Sequence, residues 1–215
     1  MHPLRDMTPS PPTPSSKVRA AALGGVIGPT AFIGAWTVGA VVTTRDYSSI
    51  DDAISRLASV GADTRALMTA GFVGFGVALP VYASALRRVV GGPAWLCAAA
   101  TGLATLGVAA TPLEHSATVD TWHAVAAGIG YATLAATPLL AARPLLQHGH
   151  RALAAAGIVA GSVSTIALAL TTTRLPTGLF QRLGLTATDI WVATSGIAIA
   201  SGRLRAIPPD IQGHR

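Results

Sequence analysis

Residues 152–173 read ALAAAGIVAGSVSTIALALTTT, a run without one charged side chain between Arg151 and Arg174. A helix needs about 20 mostly apolar residues to cross the roughly 30 Å hydrocarbon core of a bilayer. A helix on the surface of a soluble protein would instead show a polar stripe at 3.6-residue spacing. This run is apolar or small on every side, so it predicts a transmembrane helix.

The same pattern repeats along the chain. Four further runs lack Asp, Glu, Lys and Arg, namely 20–44, 66–86, 89–113 and 121–142. A sixth helix is predicted over 183–202, where Asp189 interrupts an otherwise apolar segment. Charged residues are only 11% of the chain and the mean hydropathy is +0.53, whereas soluble domains average about 25% charged residues. We therefore predict an all-α polytopic membrane protein, a bundle of six transmembrane helices.

The basic residues predict the orientation of these helices. One side of the membrane holds ten arginines and lysines, in the two tails and two short loops: Arg5, Lys17, Arg19, Arg87, Arg88, Arg143, Arg151, Arg203, Arg205 and Arg215. The other side holds five: Arg45, Arg56, Arg65, Arg174 and Arg182. Because short cytoplasmic loops are enriched in Lys and Arg, we expect both termini to be cytoplasmic. The predicted divisions are a disordered tail over 1–17, the transmembrane domain over 18–206 and a second tail over 207–215.

Composition also bounds the location and the partners of the chain. Arginine outnumbers lysine heavily and alanine is abundant, which indicates a bacterial source and hence the bacterial plasma membrane. The sequence pI is near 10.7, and basic residues beside a membrane attract anionic lipids. Because no soluble face remains to carry a basic patch, we expect membrane lipid and no nucleic acid among the partners. A protein partner or a second copy of the chain stays open.

The first outer loop has helical periodicity of its own. In residues 49–60, SIDDAISRLASV, apolar side chains recur on one helical face while Ser55 and Arg56 fall on the other. Ser49 followed by Asp52 resembles a capping box. The loop is predicted to form a short amphipathic helix that lies on the outer leaflet or covers the bundle. A second such helix is expected over 176–185.

Three segments carry a resemblance to a known family. They read DYSSIDDAISRLASVGADTRALMTAGFVGFG, WHAVAAGIGYATLAATPLLAAR and GLFQRLG. The chain resembles, over most of residues 20–203, a bacterial six-span membrane family known as domain of unknown function 998 (DUF998). In the matching residues, Ser55 takes the family's polar position after the first span. His123 takes its histidine at the start of the fourth helix, and Arg182 its arginine before the sixth. The resemblance implies the topology and no activity, and Gln181 stands where an acidic residue is expected.

Polar residues gather where the third span ends and the fourth begins. Residues 111–123, TPLEHSATVDTWH, hold Glu114, His115, Asp120 and His123. Asp189 lies inside the sixth span, and an intramembrane carboxylate needs a partner. We therefore predict that His123 and Asp189 face each other across an outward-facing polar cavity. Glu114, His115 and Asp120 would lie near its rim, with Ser55 and Arg182 as further candidates.

Three hypotheses follow for such a cavity. In the first, the polar residues are structural and the protein is a scaffold, a regulator or a lipid-interacting subunit. In the second, Asp189 and His123 bind a proton or a polar head group in a small transporter or lipid-handling protein. In the third, His115, His123 and Asp120 bind zinc and activate water, as in an intramembrane hydrolase. The sequence favours a non-enzymatic role and predicts no cofactor; zinc would be needed only under the third hypothesis.

Overall fold

The fold is known from a computed structural model, which describes residues 13–205. This part of the chain is helical throughout and contains no strand. In chain order its elements are α1 (Ser16–Ala22), α2 (Gly24–Val42), a 3-10 helix (Ile54–Ala58), α3 (Arg65–Val89), α4 (Ala94–Ala110), α5 (Ala117–Gln147), α6 (Arg151–Leu170) and α7 (Thr177–Ala200). The predicted tail 207–215 and most of the tail 1–17 lie outside the described residues, and α1 already begins at Ser16.

Five of the helical segments are long and apolar enough to cross a membrane. They are α3, α5, α6, α7 and the rod that α1 and α2 form together, Ser16–Val42. The predicted helical, multi-pass membrane architecture is therefore confirmed. The predicted span 89–113 contains a shorter apolar helix, α4, of 17 residues. Its N-terminal side is shortened by a turn at Gly91 and Gly92, whose φ angles of 73° and 64° are incompatible with a right-handed helix.

The helices close into a ring. Each of α2 to α7 packs against its neighbour in the chain, and α7 returns to α2. Helices α5 and α7 also contact each other, and α6 packs against both of them on the outer side of the ring. Loops 43–64, 111–116 and 171–176 share one end of the bundle, which we call the long-loop end. The connections 90–93 and 148–150 lie at the opposite, short-loop end.

Small residues allow the helix backbones in this ring to approach closely. Close packing matters in a membrane, because lipid provides little hydrophobic drive for helix association. The crossing of α3 and α4 is an example. A Cβ atom placed on Gly102 would lie 2.7 Å from the carbonyl oxygen of Gly76 and 2.4 Å from Cδ of Pro80. Since real Cβ contacts do not reach such distances, a side chain at Gly102 would force α3 and α4 apart.

The loop 43–64 folds over the long-loop end and is called the lid below. The predicted amphipathic helix over 49–60 is here a five-residue 3-10 helix, Ile54–Ala58. Ile54 and Leu57 are buried, but so are Ser55 and Ser59, while Ile50 is 56% exposed. The predicted polar face is formed only in part: Asp51 and Arg56 are exposed, whereas Ser55 and Ser59 are buried because the lid packs down into the bundle. Of the two predicted positions, on the leaflet or over the bundle, it takes the second.

The start of α7 also differs from its prediction. Residues 176–185 do not form a separate surface helix, because Thr177 begins the continuous 24-residue helix α7. Its first turn contacts the lid backbone directly, as a Cβ on Gly178 would lie 2.4 Å from the carbonyl oxygen of Asp52. The amide of Leu179 donates to the carbonyl of Ile50 at 2.7 Å. This helix start therefore serves as the main support of the lid.

Candidate functional site

A narrow cavity lies under the lid, inside the ring. Its walls come from α2, α3, α4, α5, α7 and the 3-10 helix. Three aromatic rings form its apolar side, with Phe32 centred 5.7 Å from Phe72 and 5.3 Å from Phe75. The cavity volume is about 50 Å³. A single water needs about 10–15 Å³ of such space, so the cavity admits a small or slender group.

Six polar side chains interrupt these apolar walls: Ser55, Thr101, Thr105, His123, Tyr131 and Gln181. His123 is 5% exposed, and its Nδ1 lies 2.6 Å from the carbonyl oxygen of Thr111. Because a carbonyl only accepts, Nδ1 must donate, and in the neutral ring Nε2 is then an acceptor. Nε2 makes no hydrogen bond to any described residue. His123 is thus oriented by its own N-terminal loop and keeps one acceptor for another molecule.

Gln181 joins three elements at the top of the cavity. Its Oε1 accepts from the amide of Ile54 at 2.7 Å, and its Nε2 donates to the hydroxyl of Tyr131. The lid is thereby bonded to α7, and α7 to α5. An amide both donates and accepts, which a carboxylate does not. This dual role gives a physical reason for glutamine where the family resemblance led us to expect an acid.

Arg182 points away from the cavity and holds the lid in place. Its Nη1 donates to the carbonyl oxygens of Ser49, at 2.7 Å, and Asp52, at 3.2 Å. Its Nη2 donates to the hydroxyl of Tyr47, and its guanidinium lies 5.1 Å from the ring centre of Trp36. Burial raises the pKa of Tyr47, and the positive charge of Arg182 partly offsets that rise. Arg182 is therefore engaged with backbone and aromatic groups of the lid region rather than with an acid.

The remaining residues of the 111–123 stretch lie at the surface beside the lid. Glu114 forms an ion pair with Arg45 at 3.5 Å. The backbone amide of Glu114 also donates to Oδ1 of Asp120 at 3.0 Å, and His115 is exposed. Between residues 13 and 205, no three His, Cys, Asp or Glu side chains come close enough together to hold a metal ion. His115, His123 and Asp120 therefore do not form the ligand set that the zinc hypothesis requires.

Asp189 is separated from His123. The aspartate is fully buried, and neither carboxylate oxygen has a hydrogen-bond partner among the described residues. It does not line the cavity, whereas His123 and Ser55 do. Since α7 begins at Thr177, Asp189 lies about 18 Å along the helix, near its middle. Asp189 and His123 therefore form no hydrogen bond. Helix α7 begins about two turns earlier than the sequence predicted, so Asp189 lies deeper in the bundle than His123, which is near the start of α5.

Sequence analysis did not identify Tyr131 and Gln181 as one unit, nor Thr101 and Thr105 as cavity residues. Gln181 could have been found, because an amide among apolar residues at a helix start needs partners. Tyr131 gave a similar signal, as a hydroxyl inside a charge-free run. The threonines gave none. Each donates to a carbonyl four residues earlier on α4, which is a common way to satisfy a threonine in a membrane helix.

Comparison with known proteins places the chain in a family. Residues 26–198 match the family described as "Protein of unknown function (DUF998)". No curated protein and no solved structure was found to match. The matched region extends from α2 almost to the end of α7 and so includes the lid, the cavity and Asp189. The chain therefore belongs to the DUF998 family of proteins of unknown function.

Proposed function

We propose that this protein binds one amphiphilic membrane molecule, such as a phospholipid, with part of an apolar chain in the cavity under the lid. The cavity carries this proposal. Its phenylalanine side suits a hydrocarbon segment, and its polar side offers Nε2 of His123 and the hydroxyl of Ser55. Apolar pockets with a few convergent polar groups are the usual form of small-molecule sites.

The seam between α4 and α5 supports entry from the lipid side. An apolar groove runs along the outer surface of this seam, and Ala126 lines both the groove and the cavity. Leu103, Trp122, Val125 and Ile129 line part of this groove. At two points of the seam, however, the facing residues are small: a Cβ on Gly107 would lie 3.3 Å from Ala126, and one on Gly130 would lie 3.7 Å from Ala104. Small side chains leave a thin barrier, so a lipid chain needs only a modest separation of α4 and α5 to enter.

A binding role fits the polar groups better than hydrolysis does. Ser55 and His123 line the same cavity, but His123 is bonded to the backbone of Thr111 and not to Ser55 or a carboxylate. A nucleophile needs a base within hydrogen-bonding reach, and the base is usually oriented by a third group. This arrangement supports the lipid-interacting hypothesis over the intramembrane hydrolase.

We also propose that α4 crosses the membrane, which gives six spans. Its 17 residues extend about 26 Å at 1.5 Å per residue, and 17 residues is near the lower limit for a span. With an even number of spans, both termini lie on one side. The excess of arginine at the short-loop end makes that side cytoplasmic, in a bacterial plasma membrane, and the lid then faces outward.

Two matched substitutions on α5 test lipid binding. Ala127 lines the cavity, whereas Ala124, one turn earlier, is exposed. Ala127→Phe should fill the cavity, while Ala124→Phe adds the same ring on the outer surface. Delipidated protein would be offered phosphatidylglycerol vesicles, and retained lipid would be counted by native mass spectrometry. We expect the native chain and Ala124→Phe to retain one lipid that Ala127→Phe lacks. Equal retention by all three would refute the proposal.

A further inference from the structure

Asp189 is the most unusual side chain of the described residues. It is fully buried near the middle of α7, and both of its carboxylate oxygens are without a hydrogen-bond partner. Two other buried hydroxyls without partners are those of Thr188 on α7 and Ser164 on α6. Thr188 adjoins Asp189 in the chain. A group of unpartnered buried polar atoms within a membrane bundle is costly, so it calls for a functional explanation.

The packing of α6 on α7 places Ser164 at the same level. A Cβ on Gly157 would meet Nε1 of Trp191 at 2.9 Å, and one on Gly184 would meet Cγ of Leu168 at 2.7 Å. These two contacts fix the antiparallel register, and Ser164 falls between them, opposite the middle of the interval 184–191. Three oxygen-bearing side chains from two helices are thus at one depth of the bundle.

No cation faces Asp189 from the elements that pack on α7 within residues 13–205. α2 has no titratable side chain, and α6 has only Arg151, at its short-loop end. On the other neighbours, the titratable groups hold other partners or lie near the helix ends: Lys17, Arg19, Arg56, Arg65, Tyr82, Arg87, Arg88, Asp120, His123, Tyr131 and Arg143. Arg182, two turns earlier on α7, is bonded to the lid. An unpaired carboxylate here would be strongly disfavoured, and the neutral acid is the stable form.

The face of α7 that carries this acid runs toward the cavity and the long-loop end. Leu185, one turn before Asp189 on α7, lines the cavity under the lid. Gln181, one further turn along, bonds the lid to the same helix. Positions four apart on a helix lie above one another. The acid, the cavity wall and the lid contact therefore follow one face of α7, with Leu185 as the barrier between the acid and the cavity.

We propose that Asp189 is a proton-binding site of the membrane domain, neutral at rest and in exchange with water at the long-loop end. On release, the O–H bond of the acid breaks and the proton passes to water that has entered through the cavity. The site goes beyond lipid binding and does not depend on it, because its test requires no bound lipid.

Infrared spectroscopy of the full chain in detergent tests both parts of this proposal. A protonated carboxyl has a carbonyl-stretch band that a carboxylate lacks. We expect such a band at neutral pH in the native protein and in Asp63→Asn, which alters an exposed acid of the lid. It should be lost in Asp189→Asn. If that variant yields no folded protein, Asp189→Glu should move the band instead of removing it.

Transfer to D₂O then tests exchange with water. The band should shift as the proton is replaced by deuterium, and the shift should be at least several-fold slower in Ala127→Phe, whose ring fills the cavity, than in Ala124→Phe. Absence of the band in the native protein would overturn the proposal of a neutral acid. A band that does not shift would identify a sealed, structural acid and would overturn the proposal of exchange. Equal rates in the two alanine variants would exclude the cavity as the path.

Discussion

The bonds of Gln181 predict how firmly the lid is held. Gln181→Leu replaces the amide with an apolar side chain of similar size at a position that is 5% exposed. The amide of Ile54, buried and now without its acceptor, should cost about 1–3 kcal/mol. The hydroxyl of Tyr131 loses the hydrogen bond that the Gln181 amide donates, and the loss of this bond should cost about 1 kcal/mol. The two losses together predict a destabilisation of about 2–4 kcal/mol.

Thermal unfolding in detergent, followed by tryptophan fluorescence, measures this loss. At about 2–4 °C per kcal/mol for a chain of this size, Tm should fall by roughly 4–16 °C. Hydrogen exchange should show faster exchange of the amides in 49–60, since the lid loses its bond to α7. Gln147→Leu, at the exposed end of α5, is the control and should change neither measurement. An unchanged Tm together with unchanged protection of 49–60 would refute the assignment of Gln181 as a structural link.

Three further predictions concern packing, pH and orientation. Gly102→Leu should destabilise the α3–α4 crossing by about 1–3 kcal/mol and lower Tm. Gly128→Leu is the control and should leave Tm unchanged, because no atom lies within 4 Å of a Cβ added there. Equal effects of the two substitutions would contradict the close approach of α3 and α4 at Gly102. Hydrogen bonds from the backbone amide of Thr44 and from the hydroxyls of Thr43 and Thr44 lower the pKa of Asp63 to about 2. The contribution of Asp63 to lid stability should therefore be full above about pH 4 and lost as pH falls toward 2. Hydrogen exchange of the 43–64 loop across that pH range measures this loss, and Asp63→Asn should remove the pH dependence. A cysteine at the exposed Thr172 should react with an impermeant thiol reagent on intact cells while one at Gln147 should not, and the reverse pattern would invert the proposed orientation.

Charge-free length predicted the helices well because a membrane span is a local property of the sequence. The lid was harder to predict, since the burial of its residues depends on contacts with distant segments. The helical pattern places Ser55 on the polar face, yet Ser55 is buried because its 3-10 turn packs against α2, α3 and the start of α7. The partner of Asp189 was mispredicted for a related reason. Depth along α7 depends on where that helix begins, and Thr177 begins it before the apolar run does.

The face of α7 that carries Gln181, Leu185 and Asp189 links the lid to the buried acid, and this link yields one more prediction. If proton release from Asp189 requires water in the cavity, any change that opens the lid must favour that release, since coupling between two sites is reciprocal. Gln181→Leu frees the lid on this face without altering Leu185 or Asp189. The infrared band of Asp189 should therefore shift faster in D₂O in Gln181→Leu than in the native chain, while Gln147→Leu should match the native rate. A Gln181→Leu protein with a loosened lid but a native exchange rate would show that the two sites act independently. In that case opening of the lid would not limit proton release from Asp189.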